Sequence, residues 1–263
     1  RLDMDIRFEA WRNHVSKVAE IYQSRPLPER IEIVPSIEPF DPSEHSYATP
    51  LPGHDGYSVV RFGNNWNDIA PNIALSMQWE RLFVRVADEI EDETFNYTVV
   101  YNDSLSSKDR YQWLLNARNA EIVDIPTQRT VWVAEYDGRT LPYWREVDPL
   151  DASHIRPRAD SRGGGTHTNI TSLLGAFSNV LNQGPQWTLT DDTVIIIDET
   201  GLPTKPGENQ TWGSICLTYE YAFWSGEEGI RLAKEWFQEN FGITFKEEKR
   251  EIIVHEIRRK NAN

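Results

Sequence analysis

The sequence predicts an α+β fold, and three observations carry that reading. Apolar residues recur at spacings of three and four in several segments, the mark of amphipathic helices. Other segments alternate apolar and polar residues with the period of a strand. The two kinds interleave with turn signals, mixing hairpins with strand–helix–strand units, so a mixed or antiparallel sheet with packed helices fits best.

Taken in order, Phe8, Trp11, Val15, Val18 and Tyr22 form an apolar stripe that predicts a helix stopping before Pro26 and Pro28. Residues 26–56, rich in proline and carrying Gly53 and Gly56, read as a long connection. Tyr57 to Phe62 reads as a strand, and residues 71–92 as a helix whose far end is acidic. Phe95, Tyr97, Val99 and Tyr101 alternate as in a half-buried strand. A helix capped by Ser107 then runs through Trp113 and Leu114 to Asn119. Residues 131–136 and 141–147 flank Asp137-Gly138, a hairpin turn signal.

The pattern breaks at residues 148–168, which are locally basic and hold three successive glycines. That break predicts an N-terminal lobe over 1–150, a linker over 151–168 and a C-terminal lobe over 169–263, unless both lobes share one sheet in a continuous domain. Ile170, Leu173, Leu174, Phe177, Val180 and Leu181 then predict a helix between Thr168 as its cap and Gly184 beyond its end. Residues 193–198 and 215–223 read as strands, separated by a Gly/Pro-rich loop over 201–209. Ser225 and Glu228 form a capping box that opens a helix through Ile230, Ala233, Trp236 and Phe237, with Gly242 as its stop. Residues 243–245 and 252–257 read as closing strands.

Charge narrows the partners. The chain carries 41 acidic against 27 basic side chains, a net charge of -14, which argues against nucleic acid and anionic membranes as partners. It permits basic proteins. No apolar run approaches the roughly 20 residues of a membrane span, and the start, Arg1-Leu2-Asp3-Met4, shows no signal-peptide pattern. The single cysteine, Cys216, forms no internal disulfide or Cys-rich zinc site and reads as a buried thiol, which fits a cytoplasmic protein.

Two sets of residues are candidate sites. Asp88, Glu89, Glu91, Asp92 and Glu93 put five carboxylates within six residues, the densest acidic patch of the chain. At the C-terminus of the expected helix this charge is unfavourably placed, a cost that can mark a binding surface. With 10 Trp, 10 Tyr and 10 Phe, some aromatics are expected at the surface as anchors, and Trp66 in Asn64-Asn65-Trp66-Asn67-Asp68 is the one best placed in a loop. The alternative set is Arg162 and His167 around the glycines before a helix, with Asp191, Asp192, Asp198 and Glu199 near the Val-Ile-Ile-Ile strand. Free amides at a helix start can hold an anion, and carboxylates at a strand end can hold Mg²⁺, so this set would suit a hydrolase or nucleotide-handling enzyme. The Walker and dinucleotide patterns are absent, as are paired zinc-type histidines and a serine elbow, so no metal or cofactor is expected.

The acidic, Trp-rich make-up and the tripeptide Thr211-Trp212-Gly213 resemble the immunity protein 52 group of bacterial polymorphic-toxin and type VI secretion systems. The resemblance implies an α+β inhibitor that neutralises a cognate toxin, a nuclease among the conceivable targets, by stoichiometric contact rather than by catalysis.

Overall fold

The structure is a computed structural model, and it describes residues 2–34, 48–79, 81–139, 144–146, 174–175, 177–178, 181–182, 188–202, 210–212 and 226–260. It is an α+β fold with a four-stranded antiparallel sheet, a four-stranded mixed sheet and a two-stranded antiparallel ribbon. Backbone contacts divide the chain into two units, one of Arg1–Ile125, Trp187–Leu189 and Ile253–Asn263, the other of Pro126–Gln186 and Thr190–Ile252. The linker expected over 151–168 lies outside the described residues. No described helix is long and apolar enough to cross a membrane.

The first unit is built on α1 (Leu2–Ile21), β1 (Ile31–Val34), β2 (Thr49–Pro50), β3 (Tyr57–Asn65), α2 (Trp66–Ser76), β4 (Val84–Val86), α3 (Asp88–Glu91), β5 (Thr94–Asn102) and α4 (Ser107–Ala117). Its antiparallel sheet has the order β1-β5-β3-β2, with β3 and β5 paired from Tyr57↔Asn102 to Asn65↔Thr94. Successive side chains of β5 point to opposite faces. Val100 therefore joins Val34, Val59 and the α1 residues Trp11, Val15 and Val18, while Val99 joins Trp66, Ile73 and Leu114 from α2 and α4. Both faces are covered, so β5 is buried on two sides rather than one. The connection expected over 26–56 holds two strands, β1 and β2, because the sheet supplies the partners that a short extended segment lacks on its own.

The mixed sheet contributes to each unit separately. In the first, β4 runs parallel to the end of β10 (Ile243–Arg259), pairing His255↔Val84 to Ile257↔Val86, and β10 neighbours the start of β6 (Ala120–Tyr136). Val84, Ile257 and Ala120 pack into the cluster that holds Trp66. In the second unit, β6 lies between β10 and β8 (Ile196–Asp198), which pairs with it in parallel from Trp132↔Ile196 to Ala134↔Asp198. An aromatic core forms there from Phe177, Phe237 and Phe241, with Trp132, Trp236 and Phe245 packed against it. Phe237 and Phe241 come from α5 (Gly226–Phe241).

Several sequence expectations need correction. Residues 71–92 are not one helix: α2 ends at Ser76, Gln78 has φ +61°, and a 3-10 turn at Arg81–Phe83 leads into β4. Leu82, Val86 and Ile90 keep helical spacing only because a turn, a strand and a short helix happen to bring them there. Among the described residues, Asp137-Gly138 does not close a hairpin between 131–136 and the described part of 141–147. Instead β7 (Trp144–Glu146) pairs with β9 (Gln210–Trp212), and β6 takes its neighbours from β8 and β10. The two closing strands are one, β10, whose polar middle keeps the alternation of exposure expected of a strand. The strand expected over 215–223, the caps at Thr168 and Ser225, and Gly184 lie outside the described residues.

The cap of α4 is Ser106 rather than Ser107. Its hydroxyl oxygen accepts the Asp109 N–H at 3.1 Å, and the Asp109 carboxylate accepts the Ser106 N–H at 3.1 Å, a complete capping box. Ser106→Ala is expected to lower stability by about 1 kcal/mol. A drop in the urea midpoint at constant slope is the readout, and an unchanged midpoint would leave the helix start to backbone geometry alone.

Candidate functional site

The acidic segment is a single helical turn held from beneath. Ile90 is fully buried and packs in the core of the first unit, while the backbone N–H of Ala87 donates to the Ile257 carbonyl at 2.9 Å. With Ile90 pointing inward, Asp88, Glu89, Glu91 and Asp92 all face solvent. Asp88, Glu89 and Glu91 sit in the first turn of α3, so their charge is not at the unfavourable end of a long helix as expected from sequence.

Glu93 plays a different part from the four before it. It is largely buried and pairs with Arg118 at 3.0 Å and with Arg259. The indole N–H of Trp66 also donates to it at 3.3 Å. Arg118 in turn lies over the Phe95 ring at 5.2 Å and donates to the Tyr97 hydroxyl at 3.1 Å. Arg259 donates to the Arg118 carbonyl at 2.9 Å. Such a buried carboxylate is tolerable only because cations and donors surround it. Glu89 accepts the backbone N–H of Arg259 at 3.4 Å, and Glu91 accepts from the Asn67 side chain at 3.1 Å. Asp88 and Asp92 form no ion pair among the described residues. The segment is thus an outward-facing set of carboxylates on a base fixed by Ile90 and Glu93.

Trp66 does not belong on that surface. Its side chain is completely buried as the first residue of α2, edge-on to Phe95 with ring centroids 5.0 Å apart. The asparagines around it mark a helix start: the Asn65 side chain caps α2 by accepting the Asp68 N–H at 2.9 Å. The expectation of an exposed aromatic anchor at Trp66 is overturned.

Of the alternative set, Arg162 and His167 lie outside the described residues. Asp191 and Asp192 are exposed in a turn whose carbonyls, at Thr190, Asp191 and Thr193, accept hydrogen bonds from Arg129. The Asp198 carboxylate accepts from the N–H of Thr200 at 2.9 Å and from its hydroxyl at 2.6 Å. Glu199 pairs with Arg250 at 3.3 Å. The carboxylates of Asp198 and Glu199 thus have local partners, whereas at Asp191 it is the backbone carbonyl that is engaged, and no group of three or more metal-type ligands occurs among the described residues.

Sequence reasoning missed a second polar cluster in the first unit. His255 on β10 stacks on Trp79, ring centroids 3.8 Å apart and planes 8° from parallel, and its Nδ1 lies 2.7 Å from the Asp124 carboxylate on β6. The partner of His255, Asp124, lies 131 positions away along the chain. Arg118 and Arg259 were missed for the same reason, since the pairing of residues 93 and 259 leaves no local trace.

Comparison with protein-family models, curated proteins and solved structures finds no significant match to this chain.

Proposed function

We propose that the protein is a non-enzymatic binding protein that neutralises a basic protein toxin by direct contact, as its resemblance to immunity proteins implies. The observation that supports this reading best is the contrast within one turn. Glu93 is enclosed by Arg118 and Arg259, while Asp88, Glu89, Glu91 and Asp92 face outward from the same support. A charged surface held in place before binding loses less conformational freedom on association than a mobile one. Against a basic partner, a net charge of -14 would steer encounter. Steering of this kind carries association rates toward roughly 10⁸–10⁹ M⁻¹s⁻¹ at low salt and weakens as salt screens it.

The test is the triple variant Glu89→Lys, Glu91→Lys, Asp92→Lys, with Glu93 left intact so that the base of the turn survives. Full-length protein is used to capture its partner from lysate of the source cell at low and high salt. The wild type is expected to recover one basic protein stoichiometrically and to release it in salt. The variant is expected to associate with that protein at least about tenfold more slowly. Equal association by wild type and variant would take this turn out of the binding surface. Recovery of no basic protein at all would count against the inhibitor reading itself.

A further inference from the structure

The dipeptide Asp-Gly occurs at two described places, and the fold treats them differently. Asp55-Gly56 and Asp137-Gly138 are both exposed, and their glycines have φ of +79° and +80°. Asp-Gly is the sequence most open to cyclisation, because a glycine without a Cβ lets its backbone nitrogen swing toward the preceding carboxyl carbon. The reaction needs a side chain that is free to rotate and is protonated at the moment of attack.

Asp137 is not free. Both of its carboxylate oxygens accept from Arg139: the backbone N–H donates to Oδ1 at 3.0 Å, and Nε and Nη2 donate to Oδ2 at 2.8 and 2.5 Å. These hydrogen bonds hold its carboxyl below the usual carboxylate range. An ionised carboxylate fixed from two sides is a poor electrophile. At Asp55 neither the carboxylate nor the Gly56 N–H has a hydrogen-bond partner among the described residues. The residue stands at the second position of a turn closed by the Tyr57 N–H on the His54 carbonyl at 3.3 Å, with Gly56 supplying the positive φ that a type II turn needs at its third position.

We propose that Asp55 is a site of spontaneous isoaspartate formation, from which Asp137 is protected by its Arg139 clasp. The Gly56 backbone nitrogen attacks Cγ of the protonated Asp55 side chain, forming an N–Cγ bond. The carboxyl hydroxyl leaves with the amide proton as water, giving a five-membered succinimide. A second water then opens the ring. Cleavage of the new N–Cγ bond restores aspartate, and cleavage at the original main-chain carbonyl leaves isoaspartate, with one more methylene in the backbone and no change of mass. That extra atom would displace the Gly56 carbonyl, which accepts the Asp103 N–H at 2.8 Å, and the Tyr57 carbonyl, which accepts the Leu51 N–H at 2.8 Å. The altered turn is one that a protein isoaspartyl methyltransferase would recognise.

The experiment ages the full-length protein at neutral pH, digests it, and separates the peptides carrying Asp55 and Asp137, with electron-transfer fragmentation to identify isoaspartate. Isoaspartate is expected to accumulate several-fold faster at Asp55 than at Asp137. Asp55→Glu should abolish the new peptide form at this turn, since the larger ring closes far more slowly. Arg139→Ala should raise the rate at Asp137, and in the urea-denatured wild type the two rates should converge. An Asp55 rate no greater than that at Asp137 would overturn the proposal. So would an Asp137 rate indifferent to Arg139→Ala, or a difference that persists in urea and so belongs to the neighbouring sequence rather than to the fold.

Discussion

Trp66→Ala is expected to destabilise the protein by about 3–5 kcal/mol, the range for truncating a fully enclosed large aromatic. The side chain has no exposed surface, and it packs with Phe62, Ile69, Phe95 and Leu114 where α2 meets the antiparallel sheet. Removing it opens a cavity that Phe95, itself locked under Arg118, is poorly placed to fill. It also takes one donor from Glu93, though at 3.3 Å that bond is the weakest of the three interactions holding the carboxylate. Trp66→Phe keeps a packed ring but loses the indole N–H together with part of the ring volume, so it should cost less than the alanine variant. Chemical unfolding followed by fluorescence and by far-UV circular dichroism is the measurement. An alanine variant with the wild-type midpoint would mean that Trp66 is not the core residue its burial indicates.

The same residue shows how far the sequence could be read. The helix α1, the stop at Gly242 and the strand β5 follow from local periodicity and turn chemistry, and they appear where the sequence predicts them, though β5 is covered on both faces rather than one. The α+β class is correct because it needs only the kinds of element and their interleaving. Trp66 was misread because asparagines are common both in loops and at helix caps, and only the bond from the Asp68 N–H to Asn65 decides between them. Strand partners were the larger loss. Asp137-Gly138 carries every local mark of a hairpin turn, yet β6 turns to β8 and β10, whose attraction lies in apolar surface contributed from distant parts of the chain. The acidic turn was visible as composition. Its division into one enclosed and four outward carboxylates was not, because Arg259 reaches Glu93 from the far end of the sequence.

Gly242→Ala is the other substitution with a large expected cost, and its cause is geometric. Gly242 follows the last residue of α5 with φ +65°, the left-handed conformation that lets a helix end abruptly, and its N–H donates to the Gln238 carbonyl at 3.0 Å. An alanine there meets the intrinsic cost of that conformation, about 1–2 kcal/mol. It also meets a wall. A Cβ would stand 2.2 Å from Asp137 Oδ1 and 2.6 Å from Arg139 Nε, distances that no real Cβ tolerates. Both neighbours are side chains of an exposed ion pair, so they make room only by giving up the contacts they have here. Asp137 is bonded to Arg139, its own N–H donates to the Gly242 carbonyl at 2.9 Å, and Arg139 also donates to the Glu239 carbonyl at 3.3 Å. The left-handed backbone therefore carries most of the loss, about 1–2 kcal/mol, and displacement of the exposed pair adds to it. A double-mutant cycle assigns the parts. Asp137→Ala should relieve the clash and leave the conformational cost, so the pair should be less destabilised than the sum of the single variants. Strict additivity in urea unfolding would show that the clasp yields to the new methyl group, leaving only the left-handed backbone to account for the loss.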